Sequence, residues 1–517
     1  MKKIEDWNIE QLAHQVVFPR LNIFDYLINE EYKSKIISLV KEGIGGFCVF
    51  GGNIEENIKV TSELQLYAEI PLLFAGDFEN GLPMRLSEGT EFPHSMALGN
   101  TKSTEITKTT AKLIAIEAKA VGVNWNLAPV ADINSNPNNP VINIRSFGDN
   151  PKLVSAHTMS YINGCQEERV LACAKHFPGH GNTEVNSHLA LPILNISKEE
   201  FHQNELLPFM AAIAAEVHSI MIGHLIAPAL DESKLPASLS KKIIKDLLID
   251  ELKFKGLVVT DALEMKAIRD NFTSKEIAKL TIEAGVDVLL MPQNNEELIN
   301  EIISLAKLDE KIRTNLINSV QKIIDKKRWA GLSTQNLNLE LSQNLFVEHP
   351  YKALKFATAA LKIIDPEKII PINNFNHTSV FALISRNEDF DNATRFMKMF
   401  SDALEMDCDF AYLNDKINPE NLEEFKEQIS ESELVIFPIF IKNYTEAQSI
   451  KLPPAFSWII DELSEGKKSI SILFGSPYYE NQLNTNSKIL TYSDSYSSLA
   501  SVIVKLSNRN LDWISNE

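Results

Sequence analysis

The feature that most constrains this chain is a repeated pairing of a short apolar run with a polar or ionisable residue directly after it. The runs are Gly46–Phe50, Pro71–Ala75, Val123–Val130, Val170–Ala174, Ser219–Gly223, Gly256–Thr260 and Val286–Met291. Each is rich in Val, Ile, Leu, Phe or Ala and reads as a strand buried on both faces. Amphipathic stretches such as Ser103–Ala120, Lys152–Gln166 and Lys198–Glu216 lie between them and read as helices. This alternation predicts a parallel sheet. Gly52-Asn53, Asp77, Asp132, Lys175-His176, His224, Asp261 and Gln293 follow the runs, so reactive side chains gather at one end of the strands. In a (β/α)-barrel that end is the mouth; an open doubly wound sheet also binds ligands there. Seven runs, with an eighth near Gln15–Pro19, favour an α/β fold built on a (β/α)8 TIM-like barrel.

At 517 residues the chain exceeds one ordinary domain. The pattern lapses into a Ser-, Thr-, Asn- and Gln-rich stretch, and a second α/β region follows. Its strand-like runs are Ser379–Ile384, Leu434–Ile441, Ile470–Phe474 and Lys488–Thr491. We expect a barrel over 1–331, a linker over 332–350 and an α/β-sandwich over 351–517.

A net charge of −19 disfavours nucleic acid and anionic membranes as partners. Lys2 and Lys3 are followed by no apolar stretch of signal-peptide type, and no run of 18 apolar residues exists. The four cysteines are scattered, without a CxxC pair, and read as free thiols. The expectation is a cytoplasmic protein.

Two segments carry chemistry. Lys175-His176-Phe177-Pro178-Gly179-His180-Gly181-Asn182-Thr183-Glu184-Val185-Asn186-Ser187-His188 holds three histidines, a lysine and a glutamate. As a metal site it would need a helical spacing that Pro178-Gly179 breaks, and HExxH is absent, so no metal or organic cofactor is expected. Gly256–Met265 places Asp261 at the end of an apolar strand. There it could serve as a helix N-cap, or as the anion that glycoside hydrolysis needs beside the anomeric carbon.

Together these segments resemble glycoside hydrolase family 3, in its β-N-acetylglucosaminidase branch, which carries a KHFPGHGDTxxDSH loop and a TD strand end. Here the loop reads KHFPGHGNTEVNSH and the strand end VVTDALEM. Asp77-Phe78-Glu79-Asn80-Gly81 through Arg85, Asn143–Gly148 and Pro236–Ser240 resemble the family's DxEGG…R, RSFG and PASLS segments. Phe474–Tyr478 is similar, more loosely, to the second domain of two-domain members.

The resemblance implies a retaining β-N-acetylhexosaminidase. Asp261 would be its nucleophile and His188 its general acid/base, with Asp77, Arg85, Arg145, Lys175 and His176 contacting the sugar. The substrate would be a small oligosaccharide or a muropeptide from peptidoglycan recycling. Asn186 and Asn182 stand where the family has aspartates. A carboxylate at 186 would orient and charge the imidazole; an amide brings no charge. Glu184 is the acidic residue that could take its place. Two other readings stay open: another β-glycosidase or phosphorylase-like specificity, and a catalytically weak sugar-binding protein.

Overall fold

The computed structural model describes residues 4–183, 191–332, 345–372, 374–404, 407–442 and 450–508. The N-terminal strands are β1 (Val17–Phe18), β2 (Arg20–Asn22), β3 (Gly46–Phe50), β4 (Leu73–Gly76), β5 (Trp125–Asn126), β6 (Leu171–Phe177), β7 (Ser219–Ile222), β8 (Leu257–Thr260) and β9 (Leu289–Leu290). From β2 to β8 they pair in chain order, all parallel. β9 pairs with β1, also parallel, and a Val259–Val288 bridge ties it to β8. The ring therefore closes. β1 and β2 are one strand broken at Pro19, which has no N–H to give the ladder, although its carbonyl still accepts from Cys48 N at 2.9 Å. The eighth strand expected at Gln15–Pro19 is thus present in two pieces.

The stretch Lys198–Glu216 is not one helix. It divides into Lys198–Glu200, a π-helical turn at Phe201–Glu205 and Leu207–Ala214. Pro208 lies in the first turn of the last piece, where its missing N–H costs nothing. Past the barrel's last helix, Glu310–Trp329, the next described helix is Leu345–Ala360. It begins inside the stretch read as linker. His349 on this helix meets Glu117 of the barrel at 2.8 Å, both buried.

The C-terminal strands are β10 (Lys362–Ile364), β11 (His377–Leu383), β12 (Asp407–Leu413), β13 (Leu434–Ile441), β14 (Lys468–Gly475) and β15 (Ser487–Leu490). Their order is β10-β15-β14-β13-β11-β12, parallel except for β10. Alternate residues of β13 serve two apolar layers. Ile436 and Phe440 pack with helices Phe390–Ala403 and Tyr496–Ser507, while Val435, Phe437 and Ile439 pack with Pro454–Leu463. This is the expected α/β-sandwich. The C-terminal ends of its strands face the barrel mouth. Asn134 Nδ2 donates to Tyr478 Oη at 3.1 Å, His94 N to Ser493 Oγ at 3.1 Å, and Tyr496 N to Glu91 Oε2 at 2.8 Å.

Among the described residues no helix is long and apolar enough to cross a membrane. No cluster of three or more His, Cys, Asp or Glu able to hold a metal occurs among them. The cysteines are free.

Candidate active site

The turn after β4 delivers two carboxylates to the mouth. It is held by Asn126 Oδ1, which accepts from Phe78 N at 3.1 Å. Asp77 Oδ1 meets Lys175 Nζ at 2.8 Å and Oδ2 meets Arg85 Nη2 at 2.8 Å. Glu79 Oε1 lies 2.7 Å from Lys175 Nζ. Glu79 is also forked by Arg145, with Nε at 2.9 Å and Nη2 at 2.8 Å. Lys175 and Glu79 are 2% and 6% exposed, so these charges stand almost out of water and depend on one another. Burial alone would raise both carboxylates. Lys175 and Arg85 nonetheless hold Asp77 below the ordinary range, and Arg145 and Lys175 hold Glu79 well below it. Burial likewise opposes the charge of Lys175, and Asp77 and Glu79 outweigh it. The cluster is therefore fully ionised near neutrality. Its polar edges match the donors and acceptors of a polyhydroxylated ring.

A second unit adjoins it. Asp132, fully buried, accepts from His176 Nδ1 at 2.7 Å, from His176 N at 3.1 Å and from His180 N at 2.9 Å. This fixes the plane of the His176 ring. His180 Nδ1 lies 2.8 Å from Thr183 Oγ1, and among the described residues its buried Nε2 meets no hydrogen-bond partner. Burial first, and then His176, push the His180 pKa down to about 4, so this ring is neutral. Beneath the turn, Glu205 is 3% exposed and presses on Gly179, where a Cβ would come within 2.7 Å of Oε2. Burial, reinforced by Asp132, lifts the Glu205 pKa to about 8.

Asp261 follows β8 directly. Its N–H donates to Ile222 O at 3.0 Å, and its Oδ1 accepts from Ala262 N at 2.7 Å. It does not cap the next helix, Lys266–Arg269, whose N-cap is Met265. The N-cap alternative therefore fails, because three residues separate Asp261 from that cap. Behind it, buried His224 reaches Ala262 O through Nε2 at 3.0 Å and Ser238 Oγ through Nδ1 at 2.7 Å. That gives Ala237–Leu239 a purpose: its serine orients the histidine that steadies the turn after Asp261.

Asp77, Arg85, Arg145, Lys175 and His176 thus come together, with Asp261 at the same mouth two strands from β6. Asn186 and His188 lie outside the described residues, as does Glu184. Four residues join the site without having been assigned a role from sequence: Glu79, Asp132, His180 and His224. Asp132 and His224 were legible as strand-end residues, and Glu79 and His180 lie within the segments that carry the resemblance. Nothing local marks Glu205.

A closed barrel whose mouth gathers buried ion pairs and a strand-end carboxylate has the layout of an enzyme site. The family model described as glycosyl hydrolase family 3 N terminal domain matches residues 6–325, and the chain belongs to that family. It is 34% identical over 374 residues to beta-hexosaminidase A of Pseudoalteromonas piscicida, covering 66% of this chain and 62% of that one. It is 29% identical over 365 residues to a beta-N-acetylglucosaminidase/beta-glucosidase of Cellulomonas fimi, covering 66% and 63%. The chain thus spans about three fifths of the length of these two relatives. A solved family 3 beta-N-acetylglucosaminidase from Paenibacillus sp. str. FPU-7 superposes with a TM-score of 0.81 at 25% identity, covering 97% of each chain.

Proposed function

We propose that this chain is a retaining β-N-acetylhexosaminidase that releases terminal β-linked N-acetylhexosamine from small oligosaccharides, including peptidoglycan fragments. The observation that carries the reading is Asp261, braced by backbone at the end of β8 on the mouth that holds the Asp77–Glu79–Arg85–Arg145–Lys175 cluster. The Asp261 carboxylate attacks the anomeric carbon as the glycosidic C–O bond breaks. His188 gives its proton to the departing oxygen. Water then attacks the glycosyl ester, His188 recovers a proton from it, and Asp261 leaves as carboxylate. The cluster holds the ring hydroxyls during both steps. The preference for an N-acetylated sugar rests on the relatives' names and on the resemblance of the loop.

Asn182 and Asn186 favour one variant of this reading, in which phosphate replaces water as acceptor. A loop lacking both family carboxylates repels an anion less. The test is an assay of 4-nitrophenyl N-acetyl-β-glucosaminide and the corresponding glucoside, each with and without phosphate, with the first-formed anomer read by NMR. Release of β-N-acetylglucosamine without phosphate supports the hydrolase. A phosphate requirement with a glycosyl phosphate product supports the variant. Turnover of neither sugar would leave a sugar-binding protein.

A further inference from the structure

The turn that carries Asp77 and Glu79 into the mouth is pinned group by group. Asn126 Oδ1 accepts from Phe78 N, and Asn126 Nδ2 and Tyr161 Oη donate to Phe78 O, each at 3.1 Å. Tyr161 Oη also reaches Glu79 O at 3.2 Å. Asn80 O accepts from Phe92 N at 2.8 Å, and Asn80 Nδ2 donates to Phe92 O at 3.1 Å. All these acceptors are oxygens. The Glu79 N–H is the exception, because it donates to a thioether, Met84 Sδ, at 3.1 Å. Met84 ends the short helix Leu82–Met84, and its carbonyl accepts from Arg85 Nη1 at 3.0 Å. Arg85 Nη2 in turn holds Asp77. One residue therefore grips both carriers of the ionised cluster: its sulfur holds the Glu79 backbone, and its carbonyl steers the guanidinium that pairs with Asp77. Asp261 is braced separately, by Ile222 and Ala262.

We infer that Met84 is a positioning residue for sugar binding: its thioether sets the backbone from which Glu79 meets Arg145 and Lys175. This rests on the reading of that cluster as the sugar-holding part of the proposed function. Buried ion pairs tolerate displacement poorly, because only good geometry repays the water they have lost. Met84→Leu keeps an apolar side chain of similar volume and removes the acceptor, which leaves a part-buried N–H unpaired. A lost hydrogen bond of this kind typically corresponds to about fivefold in affinity. Met84→Gln carries an amide oxygen on an unbranched chain of similar length and so returns an acceptor to the Glu79 N–H.

The experiment titrates N-acetylglucosamine into wild type, Met84→Leu and Met84→Gln, and measures kcat and KM on 4-nitrophenyl N-acetyl-β-glucosaminide, with Tm recorded alongside. In Met84→Leu we expect Kd and KM to rise about fivefold with kcat within about twofold, since binding is weakened while Asp261 keeps its braces. Met84→Gln should stay within about twofold of wild type in all three. Packing alone predicts the reverse order, because Leu keeps the apolar contact and Gln loses it. A Met84→Leu variant that binds like wild type, a Met84→Gln variant no better than Met84→Leu, or a loss confined to kcat would each overturn the assignment. A wild type that binds the sugar without turning it over would fault the proposed function, and the titrations would still decide the role of Met84. A wild type that binds no N-acetylglucosamine would overturn both.

Discussion

The barrel and the second sheet both point the C-terminal ends of their strands at the shared seam, but they arm those ends differently. The barrel end carries Asp77, Glu79, Arg85, Arg145 and Lys175 in mutual contact, with Asp132 and His176 beside them. The second sheet's end is lined with hydroxyls, among them Ser476, Ser493, Ser495 and Ser497, all buried, and carries the ion pair Lys442–Asp494 there. Hydroxyls satisfy one another cheaply and suit a dry docking face. Buried charges are costly to keep, and an array of them marks the place where a ligand must be held and charge must move. By this contrast the buried charges gather on the barrel side of the seam, and the second domain meets that side with hydroxyls.

The contrast breaks most sharply at Asp261. Asp261→Asn should lower turnover by roughly three orders of magnitude or more while sugar binding persists. Steady-state assay and ligand titration check this, and near-normal hydrolysis would remove Asp261 from the mechanism. Next comes the ionised cluster. Glu79→Ala leaves Arg145 and Lys175 short of a buried partner, at a cost of about 3–5 kcal/mol read by denaturant unfolding. In the wild type, Asp77 and Glu79 have folded-state pKa values below their ordinary ones. Their stabilisation is therefore complete above the ordinary carboxylate range and is lost as pH falls through and below it. Unfolding of an Asp77→Asn, Glu79→Gln variant should show a flatter acid limb.

Arg145→Ala should weaken sugar binding and turnover together by about 1.5–3 kcal/mol, visible in kcat/KM. A smaller effect is expected at Glu205, whose pKa is raised to about 8. The folded state keeps a proton there that the unfolded chain gives up at its ordinary value, so stability declines as pH rises from that value to about 8. Glu205→Gln cannot ionise and should remove that decline, giving a Tm about 2–4 °C above wild type at pH 8 and little difference at pH 5. The smallest change should come from the second sheet's own charge. Lys442→Ala should leave turnover of the nitrophenyl substrate within about twofold, since its partner Asp494 belongs to the docking face. A hundredfold loss would show that the seam's ion pair takes part in catalysis and would erase the contrast.

Strands buried on both faces were legible as apolar runs, and β3, β4, β6, β7, β8, β11, β13, β14 and β15 all coincide with such runs. The two strands of the second sheet that the pattern does not predict, β10 and β12, are its edges. Lys362 and Ile363 of β10 are exposed, and β12 interrupts its apolar residues with Asp409, so neither forms a continuous run. Within Val123–Val130 the regular strand is Trp125–Asn126, and pairing with β6 resumes at the Val130–Lys175 bridge. In the site, Asp77, Arg85, Arg145, Lys175, His176 and Asp261 were readable because strand ends and loop strings are local patterns. Asp132's triple grip and the burial of Glu205 were not, since each depends on what packs against it.

Sequence by itself determined the alternation of strand and helix, the count of barrel strands and the end at which reactive groups collect, because periodicity and residue type are properties of short stretches. Tertiary structure alone decided which charge meets which. Lys175 reaches Asp77 across 98 residues and Arg145 reaches Glu79 across 66. It also set the serine-lined face of the second sheet against Glu91 and His94, in the chain between β4 and β5. Such pairings depend on how the ring of strands closes and on how much water is expelled as it does, and no local pattern records either.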